Sequence, residues 1–459
     1  MIAPRYSPRV RAFLSAVSTG LLLTTATSVA LRGTQAPAPV RPAAAPAPAA
    51  AQGPAPAERA AAAVKQEPVK QEPVKQEEVR ALWVTRSSLA TPEQIARLVT
   101  DARDAGFNTL LVQVRGRGDA WFTQGLEPRP EALANSSATF DPLAQTLTQA
   151  HAAGLRVHAW INVNLISSAV SLPRDRNHIV HAHPEWLMVP RALGRELAKM
   201  NPRSPAYVTR LAAWARAHET TVEGLYSSPI LPDSARHLEG IVDDLAKRYA
   251  IDGLHMDYLR YPTAEFDYSA SALAAFRTSV INDLTALERA RLDARMAREP
   301  LVYADNFPKR WADYRRARLS DLVARVRTSL KKQRPNALLT AAVKPDPLEA
   351  ANQRMQDWQD WAARGLLDAI CPMAYTDNMT RFTQAVTGAT RSAAPQPLWA
   401  GIGAYRLDSA QTIAHIQAAR AAGARGIALF SYDSLTRPAL RSIGRTAFGD
   451  PGTPVASVR

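Results

Sequence analysis

The stretch YAIDGLHMDYLRYP at residues 249–262 decides the fold. Its centre is short, apolar and strand-like, and successive side chains of a strand alternate between its two faces. Leu254 and Met256 therefore share one side, while Gly253, His255 and Asp257 share the other. The strand ends by delivering a carboxylate toward polar and aromatic neighbours, and the carboxyl end of a parallel strand is where an α/β enzyme keeps its chemistry. The alternative for a single Asp in such a place is a turn or cap residue that closes the strand.

Working outward, the same β-then-α rhythm recurs eight times. Short apolar runs at 79–85, 109–114, 156–161, 253–257, 337–343, 369–374, 397–401 and 426–430 are strand candidates. Helical stretches such as 92–105, 141–153, 233–249, 309–332, 354–364 and 409–422 alternate with them, several closed by a glycine (Gly106, Gly154, Gly365, Gly423). Eight such units predict an α/β fold of the TIM type, a (β/α)8 barrel. The connections 162–232 and 261–307, after the third and fourth strands, are too long for plain loops. They are expected to wall a groove on the active face, with some helix of their own at 205–219 and 270–298.

Strand alternation also sorts residues into lumen and outside. Gln113 and Arg115 fall together on the second strand, His158, Trp160 and Asn162 on the third, and His255 and Asp257 on the fourth. Just past strand ends stand Asp119, Glu127, Asn164, Arg260, Tyr261, Asp346, Tyr375, Asp377, Tyr405, Tyr432 and Asp433. Carboxylates and aromatics in this number suit a carbohydrate: sugar rings stack on Trp and Tyr, and their hydroxyls bond to Asp, Asn and Arg. Cleaving a glycosidic bond takes one protonated carboxyl group and a second carboxylate to stabilise or attack the sugar cation.

Other chemistries fit less well. Cys371, the single cysteine, lies within a strand before Pro372 without an activating partner, and it excludes an intrachain disulfide. No glycine-rich phosphate loop follows a strand. His178, His181 and His183 cluster without metal-site spacing, so neither metal nor cofactor is expected.

The first 78 residues differ from the rest. Arg5, Arg9 and Arg11 precede an apolar run at 12–31 followed by small residues, which marks residues 1–36 as an export signal, cleaved after Ala30 or Ala36, or an uncleaved membrane anchor. Residues 37–78, rich in Ala and Pro and ending in three VKQE-P/E units, form an extended linker. The barrel domain is assigned to 79–446 and a flexible tail to 447–459. An exported location, periplasmic or otherwise in the envelope, follows. Of the formal net charge of +15, the first 78 residues hold nine Lys/Arg against five Asp/Glu, so +11 stays with the folded part. A basic exported domain without a nucleic-acid motif points to an anionic envelope polymer rather than nucleic acid. No feature of the sequence names a protein partner.

On these residues the chain resembles the family-ten glycosyl-hydrolase-like proteins, bacterial envelope barrels that include a cell-division-associated peptidoglycan glycosidase. The resemblance rests on VRALWVTR (79–86), GFNTLLVQVRGRGDAWF (106–122), FDPLAQTLTQAHAAGLRVHAWINVN (140–164), LYSSPILPDSARHLEGIVDDLAKRYAIDGLHMDYLRYP (225–262), AICPMAYT (369–376) and GIALFSYDSL (426–435), in that order and spacing. It implies a barrel that cleaves bacterial glycan strands, with Asp257 matching the family's acid and Arg115, Asp119 and Glu127 its second-strand loop. Some members have two adjacent acids where this chain has Asp257 and Tyr258, so the second acid is sought first at Asp346 and then at Asp433. The resulting expectation is a glycoside hydrolase acting on peptide-free peptidoglycan. Its substrate contacts are Arg115, Asp119, Glu127, His158, Trp160, Asn162, Asn164, His255, Arg260, Tyr261, Tyr375, Tyr405 and Tyr432. The rivals are a hydrolase of an amino-sugar exopolysaccharide and a non-catalytic glycan-binding barrel.

Overall fold

The computed structural model describes residues 77–449; the expected export signal, most of the expected linker and the last ten residues lie outside the described part. Eight parallel strands form one sheet: β1 (Val79–Val84), β2 (Thr109–Arg115), β3 (Arg156–Asn162), β6 (Gly253–Asp257), β7 (Leu338–Val343), β8 (Ala369–Pro372), β9 (Trp399–Gly403) and β10 (Gly426–Phe430). Two short strands, β4 (Leu165–Ser167) and β5 (Leu225–Tyr226), pair antiparallel in the first long insertion. The sheet runs β8-β7-β6-β3-β2-β1-β10-β9, and parallel bridges Ile370–Leu398 and Met373–Gly401 join its two edges. The fold is a TIM-type barrel, as the eight-unit rhythm predicts.

Alternation places Leu82, Val84, Leu110, Val112, Leu254 and Met256 in the layer between strands and helices, where all are fully buried. Facing inward are Trp83, Leu111, Trp160, Cys371 and Trp399 among small residues, Ala81, Ala342, Ala369 and Ala428. Large and small side chains thus interdigitate across the lumen. Gly253 opens β6 opposite His158, where an added Cβ would lie 2.5 Å from the imidazole. The glycine makes room for the ring.

Strand ends shift by one or two residues from the sequence reading. The seventh barrel strand begins at Trp399, two residues later than 397. The helix read at 354–364 is two elements, Pro347–Arg354 and Trp358–Ala363, separated by Met355 in the left-handed region (φ 55°). The 270–298 stretch breaks likewise into Ala270–Val280 and Ala286–Met296, the second begun by a capping box from Thr285 and Glu288. The last helix, Arg437–Phe448, passes the expected domain end at 446 and packs Phe448, 1% exposed, against Phe107. Among the described residues no helix is long and apolar enough to cross a membrane.

Candidate active site

Asn162 and Asp257 are paired at the carboxyl ends of β3 and β6. The Asp257 side chain is 11% exposed; one oxygen accepts the Tyr258 amide at 2.6 Å and stands 3.6 Å from Arg260 Nη1. Burial raises its pKa above the ordinary carboxyl range against the pull of Arg260 and the Tyr258 amide, and the nearby Glu223 charge adds to the rise. A carboxyl inclined to keep its proton is what a general acid needs. After it the chain turns sharply, with Tyr258 at φ 49°, which places Arg260 over the Tyr258 ring at 4.2 Å.

Arg260 is buried and gives Nη2 to Glu223 at 3.2 Å. Glu223 stands just before β5, and its other oxygen accepts the Tyr226 hydroxyl at 2.5 Å. Burial pushes the Glu223 carboxyl up, but Arg260, the Tyr226 hydroxyl and a backbone amide outweigh it, so its pKa is lowered. Lys344, just past β7, is pushed down to about 8 by burial and by Arg260 and Arg354.

Beside these charges stands an aromatic wall. Tyr375 stacks on Phe430 at 5.5 Å between ring centroids and meets Trp83 and Tyr405 edge-on. Trp160 is edge-on to Phe430 from below. Its indole donates to Asn162 Oδ1 at 3.1 Å, and Asn162 in turn donates to the Gly116 carbonyl at 2.7 Å. Trp160 and Asn162 thereby brace the rim from inside the lumen.

Several of the expected substrate contacts are engaged within the barrel itself. His255 and His158 are 0% and 1% exposed and lie in the packed lumen. His255 Nε2 accepts from the Trp83 indole at 3.0 Å, so its Nδ1–H donates to Thr340 Oγ1 at 2.8 Å. Burial lowers it to about 3 and His158 to about 4, leaving two neutral pillars. Arg115 is engaged by Glu127 through two bonds of 2.7 and 2.6 Å and by the carbonyls of Asn162 and Val163, all buried. Asn164 is buried and donates to the Ser227 carbonyl, tying β3 to the insertion. Tyr261, 0% exposed, packs near Arg315 outside the lumen, and the Tyr432 hydroxyl donates to Asp101 on a surrounding helix. Asp119 accepts the Gly116 and Arg117 amides and shapes its loop, partly exposed.

The two expected partner acids are engaged elsewhere, Asp346 as a helix cap and Asp433 at the end of β1. Asp346 is exposed and accepts the Leu348 and Glu349 amides at the start of its helix. Asp433, also exposed, accepts from the Thr85 amide and the Ser87 and Ser88 hydroxyls. Of the expected residues the structure therefore brings together Asp257, Arg260, Tyr375 and Tyr405, with Trp160 and Asn162 beneath. It adds Glu223, Lys344, Trp83 and Phe430. Trp83 and Phe430 were open to alternation within strands already read, and Lys344 to the strand-end rule. Glu223 follows from neither.

The three histidines hold local posts: His178 Nε2 bonds the Arg117 carbonyl, His181 the Pro173 carbonyl, and His183 stacks on Trp186. Among the described residues no group of three or more His, Cys, Asp or Glu could hold a metal ion.

In fold, the chain is similar to the PgaB (BpsB) glycoside hydrolase domain of Bordetella bronchiseptica, with a TM-score of 0.55 at 17% identity over 80% of this chain and 99% of that one. It is similar also to a β-galactosidase of Marinomonas ef1, with a TM-score of 0.54 at 12% identity, covering 81% of this chain and 59% of that one. In sequence it matches glycosyl hydrolase DigH of Escherichia coli (strain K12), 25% identical over 290 residues, which is 59% of this chain and 55% of that protein. It also matches glycosyl hydrolase YngK of Bacillus subtilis (strain 168), 24% identical over 188 residues, 39% of this chain and 31% of that one. The chain thus spans between 31% and 55% of these relatives' lengths. The family model described as glycosyl hydrolase-like 10 matches residues 78–415, which hold seven of the eight barrel strands, and the chain belongs to that family.

Proposed function

We propose that this protein is an exported glycosidase that cleaves bacterial envelope glycan, peptidoglycan strands freed of their peptides, with Asp257 as the general acid. The observation that carries the reading is Asp257 itself: a buried carboxyl with a raised pKa at the carboxyl end of a barrel strand, beside an aromatic wall suited to sugar rings. Family membership and glycosidase-like barrels among its structural neighbours support hydrolysis of a glycan.

The substrate class is supported by charge. Lys344 lies near enough to Asp257 to act on its ionisation, and Arg86 and Arg117 act likewise on Tyr258. Among the described residues none of these three cations has a carboxylate within ion-pair distance. Strands stripped of peptide expose a lactyl carboxylate on every second sugar, whereas a neutral or amine-bearing exopolysaccharide offers these cations no counter-charge.

The test incubates the purified protein with peptide-free strands, intact peptidoglycan and an amino-sugar exopolysaccharide, followed by reducing-end assay and product mass analysis. Release is expected from the peptide-free strands. Binding without release beyond that of the Asp257→Asn variant would make the protein a glycan-binding barrel, and release from the exopolysaccharide alone would move the substrate.

A further inference from the structure

Asp257 alone does not complete a glycosidase, which needs a second, ionised carboxylate at the sugar's anomeric carbon. Asp346 and Asp433 are exposed and already hold backbone amides and hydroxyls. We propose that Glu223, carried in by the insertion after β3, is that second carboxylate, and that it faces Asp257 across Arg260. This rests on the glycosidase reading above.

Three observations carry it. One guanidinium touches both acids: Arg260 Nη2 lies 3.2 Å from a Glu223 oxygen and Nη1 lies 3.6 Å from Asp257. Arg260 is 5% exposed, yet its Nε and Nη1 have no hydrogen-bond partner. Buried donors are rarely left unbonded, and one of these, Nη1, lies beside Asp257 on the same guanidinium that bonds Glu223. Both carboxylates remain reachable, at 11% and 23% side-chain exposure, and the Tyr226 hydroxyl fixes Glu223 at 2.5 Å. Their ionisation is pushed in opposite directions, Asp257 toward the protonated form and Glu223 toward the charged one, which is the division of labour between acid and base.

The reaction then balances without a cofactor. Asp257 gives its proton to the glycosidic oxygen as the C1–O bond breaks, and the bonding pair leaves with that oxygen. Glu223 adds to C1 itself, or takes a proton from the water whose oxygen adds to C1. In the first case water later displaces Glu223, giving its proton to Asp257; in the second, solvent returns the proton from Glu223 to Asp257. The anomer first released distinguishes the two.

The experiment compares the parent with Glu223→Gln, Glu223→Ala and Asp257→Asn, using peptide-free strands, intact peptidoglycan and amino-sugar exopolysaccharide as probes. Turnover, glycan co-sedimentation and thermal melting are measured with and without sodium azide. Turnover of Glu223→Gln should fall by about 100-fold or more while binding stays within about threefold. Azide, filling the space left in Glu223→Ala, should restore turnover and appear in the product as a glycosyl azide. A merely structural Glu223 would give neither the split nor the rescue. Glu223→Gln within about threefold of the parent, with Asp257→Asn inactive, overturns the inference and leaves the glycosidase reading intact. Loss of binding and melting temperature without azide rescue also overturns it, making Glu223 a positioning residue for Arg260. A parent that releases no reducing ends from any of the three glycans removes the glycosidase reading and this inference with it.

Discussion

Two buried arginines stand at the ends of the strands that flank β3, and they end up in opposite conditions. Arg115 at the end of β2 is saturated: Glu127 grips it through two short bonds, and two backbone carbonyls take a further N–H. Arg260, three residues past β6, makes one hydrogen bond to Glu223, stands off Asp257 at 3.6 Å, and keeps two N–H positions unbonded. A completed network rigidifies the scaffold, whereas an incomplete one held between two acids is poised for a ligand. In the sequence one closes a strand on its lumen face and the other stands just past a strand end, and only the bookkeeping of their partners separates scaffold from site.

The sharpest way to break the contrast is at Asp257. Asp257→Asn should lower turnover by about 100-fold to 10,000-fold, the usual range for loss of a general acid. Stability should move the other way. A carboxyl whose folded pKa is raised contributes stability that is complete below its unfolded pKa and is lost as pH rises through the folded one. The ionised form of the buried Asp257 is therefore the less stable one, and Asn, which is never charged, should melt at or above the parent once pH exceeds that folded value. A variant that keeps its rate and loses melting temperature would make Asp257 a strand cap.

Next in size is the exchange between the arginines. Arg115→Ala leaves Glu127 charged and buried and two carbonyls unbonded, which should cost about 3–5 kcal/mol of stability in denaturant unfolding. The surviving folded fraction should turn over within a few-fold of the parent. Arg260→Ala should collapse turnover, with the smaller stability cost of the two, since the Glu223 and Asp257 side chains keep 23% and 11% exposure against 3% for Glu127. Equal effects of the two substitutions on both measurements would erase the distinction between scaffold and site.

How much of this was legible beforehand depends on where each residue sits. Alternation along 253–257 put His255 and Asp257 inward, and β6 has those bounds. Alternation reports a face, however, and not whether a side chain's bonds are complete, so Arg115, His158 and Asn164 read as substrate contacts although packing had already engaged them. It also stops at the first irregular residue. Tyr258 at φ 49° resets the chain's direction, and Tyr261 turns out of the lumen. Glu223 had no signal of its own, because it lies in a long insertion beside a strand of two residues, too short for any period to show.

A third, smaller effect concerns acid stability. Burial raises the Glu127 carboxyl, but Arg115 and His237 outweigh it and hold it at about 2, below its ordinary 4.5. A depressed carboxyl contributes stability that is full above the unfolded value and lost as pH falls toward the folded one. Melting temperature should therefore drop between about pH 4.5 and 2 in the parent, and Glu127→Gln should flatten that limb while lowering stability at pH 7. An unchanged acid limb would mean that the saturated pair contributes nothing to acid resistance.

The smallest expected effect is at Lys344, and it tests the open side of the comparison without touching either acid. Burial together with Arg260 and Arg354 lowers its pKa to about 8, so it is charged at neutral pH and loses its charge as pH rises through that value. If it meets a carboxylate on the glycan, KM for peptide-free strands should rise above pH 8 by roughly threefold to tenfold, about 1 kcal/mol, as suits one partly solvated charge pair. Lys344→Gln should show the raised KM at every pH, and Lys344→Arg, charged throughout, should keep KM low into the alkaline range. Asp257 separates cleanly from this, because deprotonation of the acid lowers kcat and leaves the KM of the glutamine variant flat. A KM that follows pH identically in parent, Gln and Arg forms would remove Lys344 from substrate recognition.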